Sequence, residues 1–504
     1  MKNIDARPLF IFEMANNHMG SVEHGLRIVR AMHEVAKDFP FNFGVKLQYR
    51  DIDTFIHPDY KGRTDLKFVK RFSETRLTWE ECRRIKDAID ECGFVSVCTP
   101  FDEVSVDRVE EHGFDILKVA SCSLTDWPLL ERVGGWNRPI IASTGGMSVA
   151  DIDRAVSFFQ HRNKKLTLMH CVGRYPTYDD CLNLGQIAFL QARYPRVVIG
   201  YSTHERPDNY DAVKIAIGMG VMVFEKHVGV QTNEFRLNSY SAAPEQVGRW
   251  LASAASALEM CGVRHSRCAV TAEEQVTLRT LQRGVFARKD IAKGERLSSG
   301  SVFYAIPVAD GQFVANDISK YTDFHATVAV GAARPLCVGD FEVHDKREQV
   351  YKVVTEVKKL LKRSKVTLPG EADLEISHHY GIESFHQFGC TIITVVNREY
   401  CKKLIILLPG QMNPEHVHKV KEETFMVVHG DITIDLNGSQ RHCKPGDLIV
   451  VELGVTHSFS SKSGAIMEEL SSTHYRDDSY YTDSSIPITA DRKTLITYWL
   501  GDDY

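Results

Sequence analysis

The feature that most limits what this chain can fold into is a rhythm in its first half. Short apolar runs rich in Val and Ile recur at 9–14, 43–49, 94–99, 116–121, 139–144, 166–171, 197–202 and 221–227. Runs this short and this β-branched read as strands buried on both faces of a parallel sheet. The stretches between them are amphipathic. In 22–35, Leu26, Val29, Met32 and Val35 share one helical face while Arg27, Arg30 and Glu34 lie elsewhere. Eight such βα units in roughly 270 residues predict a (β/α)8 TIM barrel. A doubly wound open sheet is the competing arrangement, but it usually has fewer strands, and no GxGxxG turn is present.

In a barrel of parallel strands, chemistry sits at the C-terminal strand ends, and the polar residues fall there. Glu13 ends the first run, Lys46 and Gln48 alternate on the second, and Thr99 ends the third. Lys118 and Ser121 sit on or just after the fourth, and Tyr175 follows the sixth. The seventh ends in Ser202-Thr203-His204 and the eighth in Glu225-Lys226-His227. One such histidine would read as a strand cap. Two at consecutive strand ends predict imidazoles sharing a metal ion. A lysine inside an apolar strand is costly unless it meets an anion. Lys46 and Lys118 therefore predict a phosphate or carboxylate ligand.

The totals set the remaining bounds. A chain of 504 residues is expected to form about three domains. The net charge of -5, with 25% charged residues, offers no basic excess for nucleic acid. Twelve cysteines without a CxxC pair suit a reduced, cytoplasmic protein. The charges at Lys2, Asp5, Arg7 and Glu13 argue against a signal peptide, and no stretch is long and apolar enough to span a membrane.

The ordered set NNHMG, VKLQY, CTPFD, LKVASCSL, IIASTGGM, HCVGRYPT, IGYSTH and FEKH resembles the sialic acid synthase (N-acetylneuraminate synthase) family. The resemblance covers the first half of the chain. It implies condensation of phosphoenolpyruvate with an N-acetylated amino sugar, phosphate release, and a divalent metal, Mn or Mg. Carried over, it gives His204 and His227 to the metal and Lys46, Lys118, Ser121 and Ser202 to phosphoenolpyruvate. Glu13 lies near the reacting centre, and Gln48, Thr99 and Tyr175 line the substrate pocket. Departures fall on the sugar side: Thr203 stands where the family has Asp, Gly173 where it has Asn, and the loop 231–241 lacks the family's Asp. Residues 281–345 resemble the antifreeze-like (SAF) domain that swaps onto a partner's barrel, which implies a domain-swapped homodimer. The family's Arg before a Pro in that domain is Ile306 here. The acceptor expected is therefore an altered aldose.

Residues 346–370 read as a helical linker, with Val350, Val353, Val357, Leu360 and Leu361 in register. From about 371 to 475, short alternating strands predict an all-β jelly roll. Within it, His416, His418, Glu423 and His457 sit at spacings that resemble the two cupin motifs. Three imidazoles and a carboxylate suit Fe, Mn, Ni or Zn. Tyr380, Phe385, His386 and Phe388 are candidates for its mouth, and 476–504 for a tail on its surface. The leading reading is a synthase giving a 3-deoxy-2-ulosonic acid for surface glycans. A cupin-centred sugar isomerase or epimerase with a binding-only barrel, and a non-catalytic sugar binder, are the alternatives.

Overall fold

The computed structural model describes residues 6–264, 266–370, 372–475, 477–486 and 492–499. The boundary positions 371 and 476 and much of the tail lie outside them. The chain divides into two compact units, Met1–Ala269 and Val270–Tyr504.

The first unit is a closed barrel of eight parallel strands in sequence order. They are β1 Leu9–Glu13, β2 Asn42–Tyr49, β3 Val95–Pro100, β4 Ile116–Val119, β5 Ile140–Ser143, β6 Leu166–His170, β7 Val198–Thr203 and β8 Val223–His227. Strand alternation sorts the side chains. Phe10, Phe12 and Phe224 pack outward beneath the helices, in a cluster that includes Ile28, Met32 and Trp250. Leu9, Ile11, Val97, Ile116, Ile141 and Met169 form a separate apolar plug. Gly200 makes room for that plug, because a Cβ there would lie 2.3 Å from the sulfur of Met169. The helix Val22–Ala36 is capped by Ser21 and buries Gly25, Ile28, Val29, Met32 and Ala36. Its buried face is rotated slightly from the one expected, and Leu26 and Val35 pack at its margin.

The second unit begins with two antiparallel pairs, β9 Gly284–Ala287 with β10 Val302–Ala305, and β11 Thr322–Ala326 with β12 Phe341–Asp345. They share a core built on Val285, Ile291, Phe313, Phe324 and Leu336. The remaining strands are β13 Leu374–His378, β14 Gly389–Asn397, β15 Tyr400–Leu407, β16 Met412–Val417, β17 Glu423–His429, β18 Ile432–Leu436, β19 Ser439–Cys443, β20 Leu448–Val451, β21 His457–Ser460, β22 Ala465–Ser472, β23 Tyr480–Tyr481 and β24 Lys493–Ile496. They form a seven-stranded sheet, β20-β17-β22-β15-β14-β13-β24, and a five-stranded sheet, β19-β18-β21-β16-β23. This is the all-β cupin architecture expected.

Two sequence expectations need revising here. The stretch 346–370 is more than a linker: its helix, Arg347–Ser364, buries Val353, Val357 and Leu361 against Leu374, Ile376, Phe385 and Ile406 of the β domain. The described part of the tail is not a separate surface element either. β23 and β24 close the edges of the two sheets, satisfying backbone groups that an open edge would leave unpaired. Phe385 is consequently core, while Tyr380 hydrogen-bonds Asp483 and His386 meets Glu356. Neither these three nor Phe388 lines the cavity of the β domain.

Candidate active site and candidate metal centre

Strand register assembles the barrel mouth. Glu13 lies level with Lys46 on one side and His227 on the other, and Ser202 lies level with Glu225. Glu13, Lys46, Lys118, Ser202 and Glu225 are all buried. Glu225 is the hub: its Oε1 accepts from Lys46 Nζ at 2.8 Å, Lys118 Nζ at 2.5 Å and Ser202 Oγ at 2.9 Å. Lys46 also pairs with Glu13, whose Oε1 accepts from the Ala15 backbone N–H at 2.6 Å. Burial pushes the Lys46 ammonium down to about 7, with Glu225 opposing. Burial would raise the Glu225 carboxyl, but Lys118 and Lys46 outweigh it and hold it well below the usual range. Sequence reasoning expected the lysines to meet an anion but assigned Glu225 no role. The two-residue spacing from His227, which puts both on one face of β8, is the signal that would have found it. Lys226, between them, faces outward into a buried pair with Glu205 at 2.5 Å.

The rings of His204 and His227 are 5.2 Å apart between centroids. His204 Nδ1 bonds the Val172 carbonyl at 2.9 Å, which fixes the proton there and leaves Nε2 a lone pair. His227 Nδ1 is buried without a partner. Burial pushes His204 down to about 4, and burial with His204 beside it holds His227 well below its usual value. Both rings are thus neutral, the form that binds a cation. Tyr175 and Tyr240 wall the pair, with centroids 3.9 Å from His204 and 5.1 Å from His227. Two neutral imidazoles with an orphaned nitrogen fit a divalent ion that keeps positions open for substrate.

The other expected residues are more dispersed. Thr99 lies level with Gln48, and its buried hydroxyl has no partner. Gln48 accepts from Arg50 at 3.1 Å, and both line a hollow with Asn16, His18 and Thr75. Arg50 went unnoticed in the sequence. Its guanidinium lies over the rings of Phe72 and Phe101, at 4.1 and 3.6 Å from their centroids, and its Nε is buried without a partner. Ser121 accepts from the Gly145 N–H at 3.0 Å, which ties down the loop after β5.

In the β domain, nitrogens of His416, His418 and His457 lie within 4.8 Å of one another. Each ring turns Nδ1 to a backbone carbonyl: His416 to Pro414 at 2.9 Å, His457 to Val455 at 3.2 Å, and His418 to Asp478. Nε2 is therefore the free ligand atom on all three. Glu423 reaches His418 Nε2 at 3.4 Å and His457 Nε2 at 3.2 Å. His457 Nε2 and Glu423 Oε2 are buried without hydrogen-bond partners, an arrangement suited to holding a cation. Lys421 pairs with Glu423 and, at 3.0 Å, with Glu469, which lies 3.4 Å from Lys403. The sequence reading singled out His416, His418, Glu423 and His457 but none of these lysines.

The sequence model of the NeuB family matches residues 34–264, and that of the cupin domain matches residues 403–472. A crystal structure described as spore coat polysaccharide biosynthesis protein E from Chromobacterium violaceum is 52% identical, with a TM-score of 0.65, over 67% of this chain and 100% of that one. N,N'-diacetyllegionaminic acid synthase of Campylobacter jejuni is 26% identical over 64% of this chain and 96% of its own. Spore coat polysaccharide biosynthesis protein SpsE of Bacillus subtilis is 30% identical over 45% of this chain and 61% of its own.

Proposed function

This chain belongs to the NeuB family and carries a C-terminal cupin domain, and we propose that its barrel is a synthase condensing phosphoenolpyruvate with an aldose. The product is a 3-deoxy-2-ulosonic acid, and phosphate is released. The similarity to a diacetyllegionaminic acid synthase over nearly all of that protein supports the reaction class. The observation that carries the reading is the lysine pair gathered on Glu225 beside two neutral histidines. Lys46 and Lys118 are balanced by Glu13 and Glu225, so a dication at the histidines gives the site the net positive charge that an anionic substrate requires.

His204 and His227 would hold the divalent ion, Mn or Mg, which supplies Lewis-acid polarisation of the sugar aldehyde. Lys46 and Lys118 hold the phosphoenolpyruvate anion and stabilise charge on the departing phosphate, with Ser202 and Ser121 as hydroxyl donors. The enol carbon attacks the aldehyde, whose oxygen takes up a proton; water adds at the cationic centre left at C2, Glu13 takes the water proton, and the C2–O bond to phosphate breaks to leave the 2-keto group. Gln48, Thr99 and Tyr175 line the sugar side, joined by Arg50. We read 281–345 as an SAF domain swapped between two subunits. Ile306 in place of the acetyl-reading Arg favours a plain aldose. The cupin histidines and Glu423 form a second metal site, for Fe, Mn, Ni or Zn. The twelve free cysteines suit the cytoplasm, and among the described residues no helix is long and apolar enough to cross a membrane.

The test is phosphate release from phosphoenolpyruvate by purified protein with manganese, across N-acetylated and plain aldoses, free and phosphorylated. Release with at least one aldose, and none without it, is expected. Silence across the panel would sink the reading.

A further inference from the structure

The charges lining the cupin cavity balance in pairs with one exception. Lys493 meets Glu375 at 2.8 Å, and Lys403 and Lys421 share Glu469 and Glu423. Arg492 has no acidic partner among the described residues. It is 5% exposed, its only side-chain hydrogen bond among the described residues runs from Nη1 to Ser377 Oγ at 3.3 Å, and its Nε is buried without a partner there. A buried guanidinium left unpaired is costly, and it is the side chain best shaped to take a carboxylate through two parallel hydrogen bonds.

Its position is fixed from the backbone up. Arg492 directly precedes β24, whose pairing sets Lys493 opposite Ser377 on β13. Its guanidinium lies 5.0 Å from the centroid of the Tyr481 ring, whose ring neighbours include His379, at 5.1 Å between centroids, and His416, at 5.4 Å. The Tyr481 hydroxyl is held by His379 Nε2 at 3.0 Å. One aromatic ring therefore separates the unpaired cation from His416 of the three-histidine cradle, and Arg492, Tyr481, His416 and His418 line one cavity. A dication in the cradle would add to the positive excess rather than relieve it.

We infer that the cupin cavity is a binding site for a sugar acid, with Arg492 pairing the carboxylate and the sugar hydroxyls directed toward the cradle of His416, His418 and His457. The aldose alone, which lacks the carboxylate, leaves Arg492 unpaired and binds poorly. This inference goes beyond the synthase reading of the barrel and does not rest on it.

The experiment is calorimetric titration of the full-length, manganese-loaded chain with N-acetylneuraminate, 3-deoxy-D-manno-2-octulosonate and D-glucuronate, each beside its methyl ester, and with D-glucose. The expected result is an acid bound at least about tenfold more tightly than its ester, the scale of a charge-assisted pair. Arg492→Met abolishes that preference and Arg492→Lys restores part of it, while the pair His204→Ala and His227→Ala leaves it intact. Equal binding of acid and ester, or no acid bound at millimolar concentration, would overturn the inference without any substitution. So would a preference that survives Arg492→Met or vanishes with the barrel pair. Phosphate release is measured separately, and its absence would count against the barrel reading alone.

Discussion

The barrel mouth and the cupin cavity hold nearly the same parts, wired differently. Each has neutral or inward-facing imidazoles, two buried lysines and buried carboxylates. In the barrel, both lysines converge on Glu225 and the histidines stand beside the cluster. In the cupin, Lys403 and Lys421 share Glu469 in the same way, but a second carboxylate, Glu423, bridges His418 and His457 and pairs with Lys421. A carboxylate shared between lysines leaves an anion pocket whose charge can be exchanged for a substrate's. A carboxylate between histidines completes a cradle for a cation. Residue type does not distinguish these two outcomes, but connectivity does.

Four substitutions and one condition can break or sharpen that contrast. The largest effect on stability is expected from Glu225→Gln, which strands two buried ammoniums and should cost about 3–5 kcal/mol in denaturant unfolding of the barrel. Glu469→Gln should cost the cupin a similar amount, because Lys403 loses its partner there. A loss well under this in either domain would show that its lysines are solvated. Lys118→Met should lower kcat for phosphate release by about 10²–10³, equivalent to roughly 2.7–4 kcal/mol, with the cupin's metal content unchanged. Leu361→Ala should cost about 2–5 kcal/mol of cupin stability, because the side chain is fully buried between helix and sheet. If the helix were a free linker, the cost would be near zero.

The smallest effect is on pH. In both domains burial alone would raise the key carboxyl. Glu225 is nonetheless held below its ordinary 4.5 by Lys118 and Lys46, and Glu423 by its bonds to His418 and His457 and the charge of Lys421. Their contributions are fully present above about 4.5 and vanish as pH falls through the folded values. Stability should therefore fall on acidification below 4.5 in both domains, and by less in Glu225→Gln for the barrel. A variant with the same acid slope as the parent would contradict the assignment.

The barrel's skeleton was legible because buried parallel strands write themselves as apolar runs: all eight expected runs end within two residues of an observed strand. The cupin histidine cluster was legible because His416, His418 and His457 lie close along the chain, His416 and His457 directly opposite each other on paired strands. Glu225 and Arg50 were not, because their roles depend on partners many residues away that register alone brings level. The same holds for Arg492, whose place depends on a late strand closing a sheet edge. Several short strands of the β domain, β16 and β21 among them, carry too little alternation to read from sequence. The helix Arg347–Ser364 was visible as amphipathic, but its apolar stripe does not say which sheet it covers.

The most direct test compares two double variants for metal-dependent phosphate release from phosphoenolpyruvate with the best aldose. His204→Ala with His227→Ala should lose on the order of 10³-fold or more, the scale of Lewis-acid polarisation, while His416→Ala with His418→Ala keeps release within a few-fold of the parent. Loss confined to the cupin pair would contradict the account and move the chemistry out of the barrel.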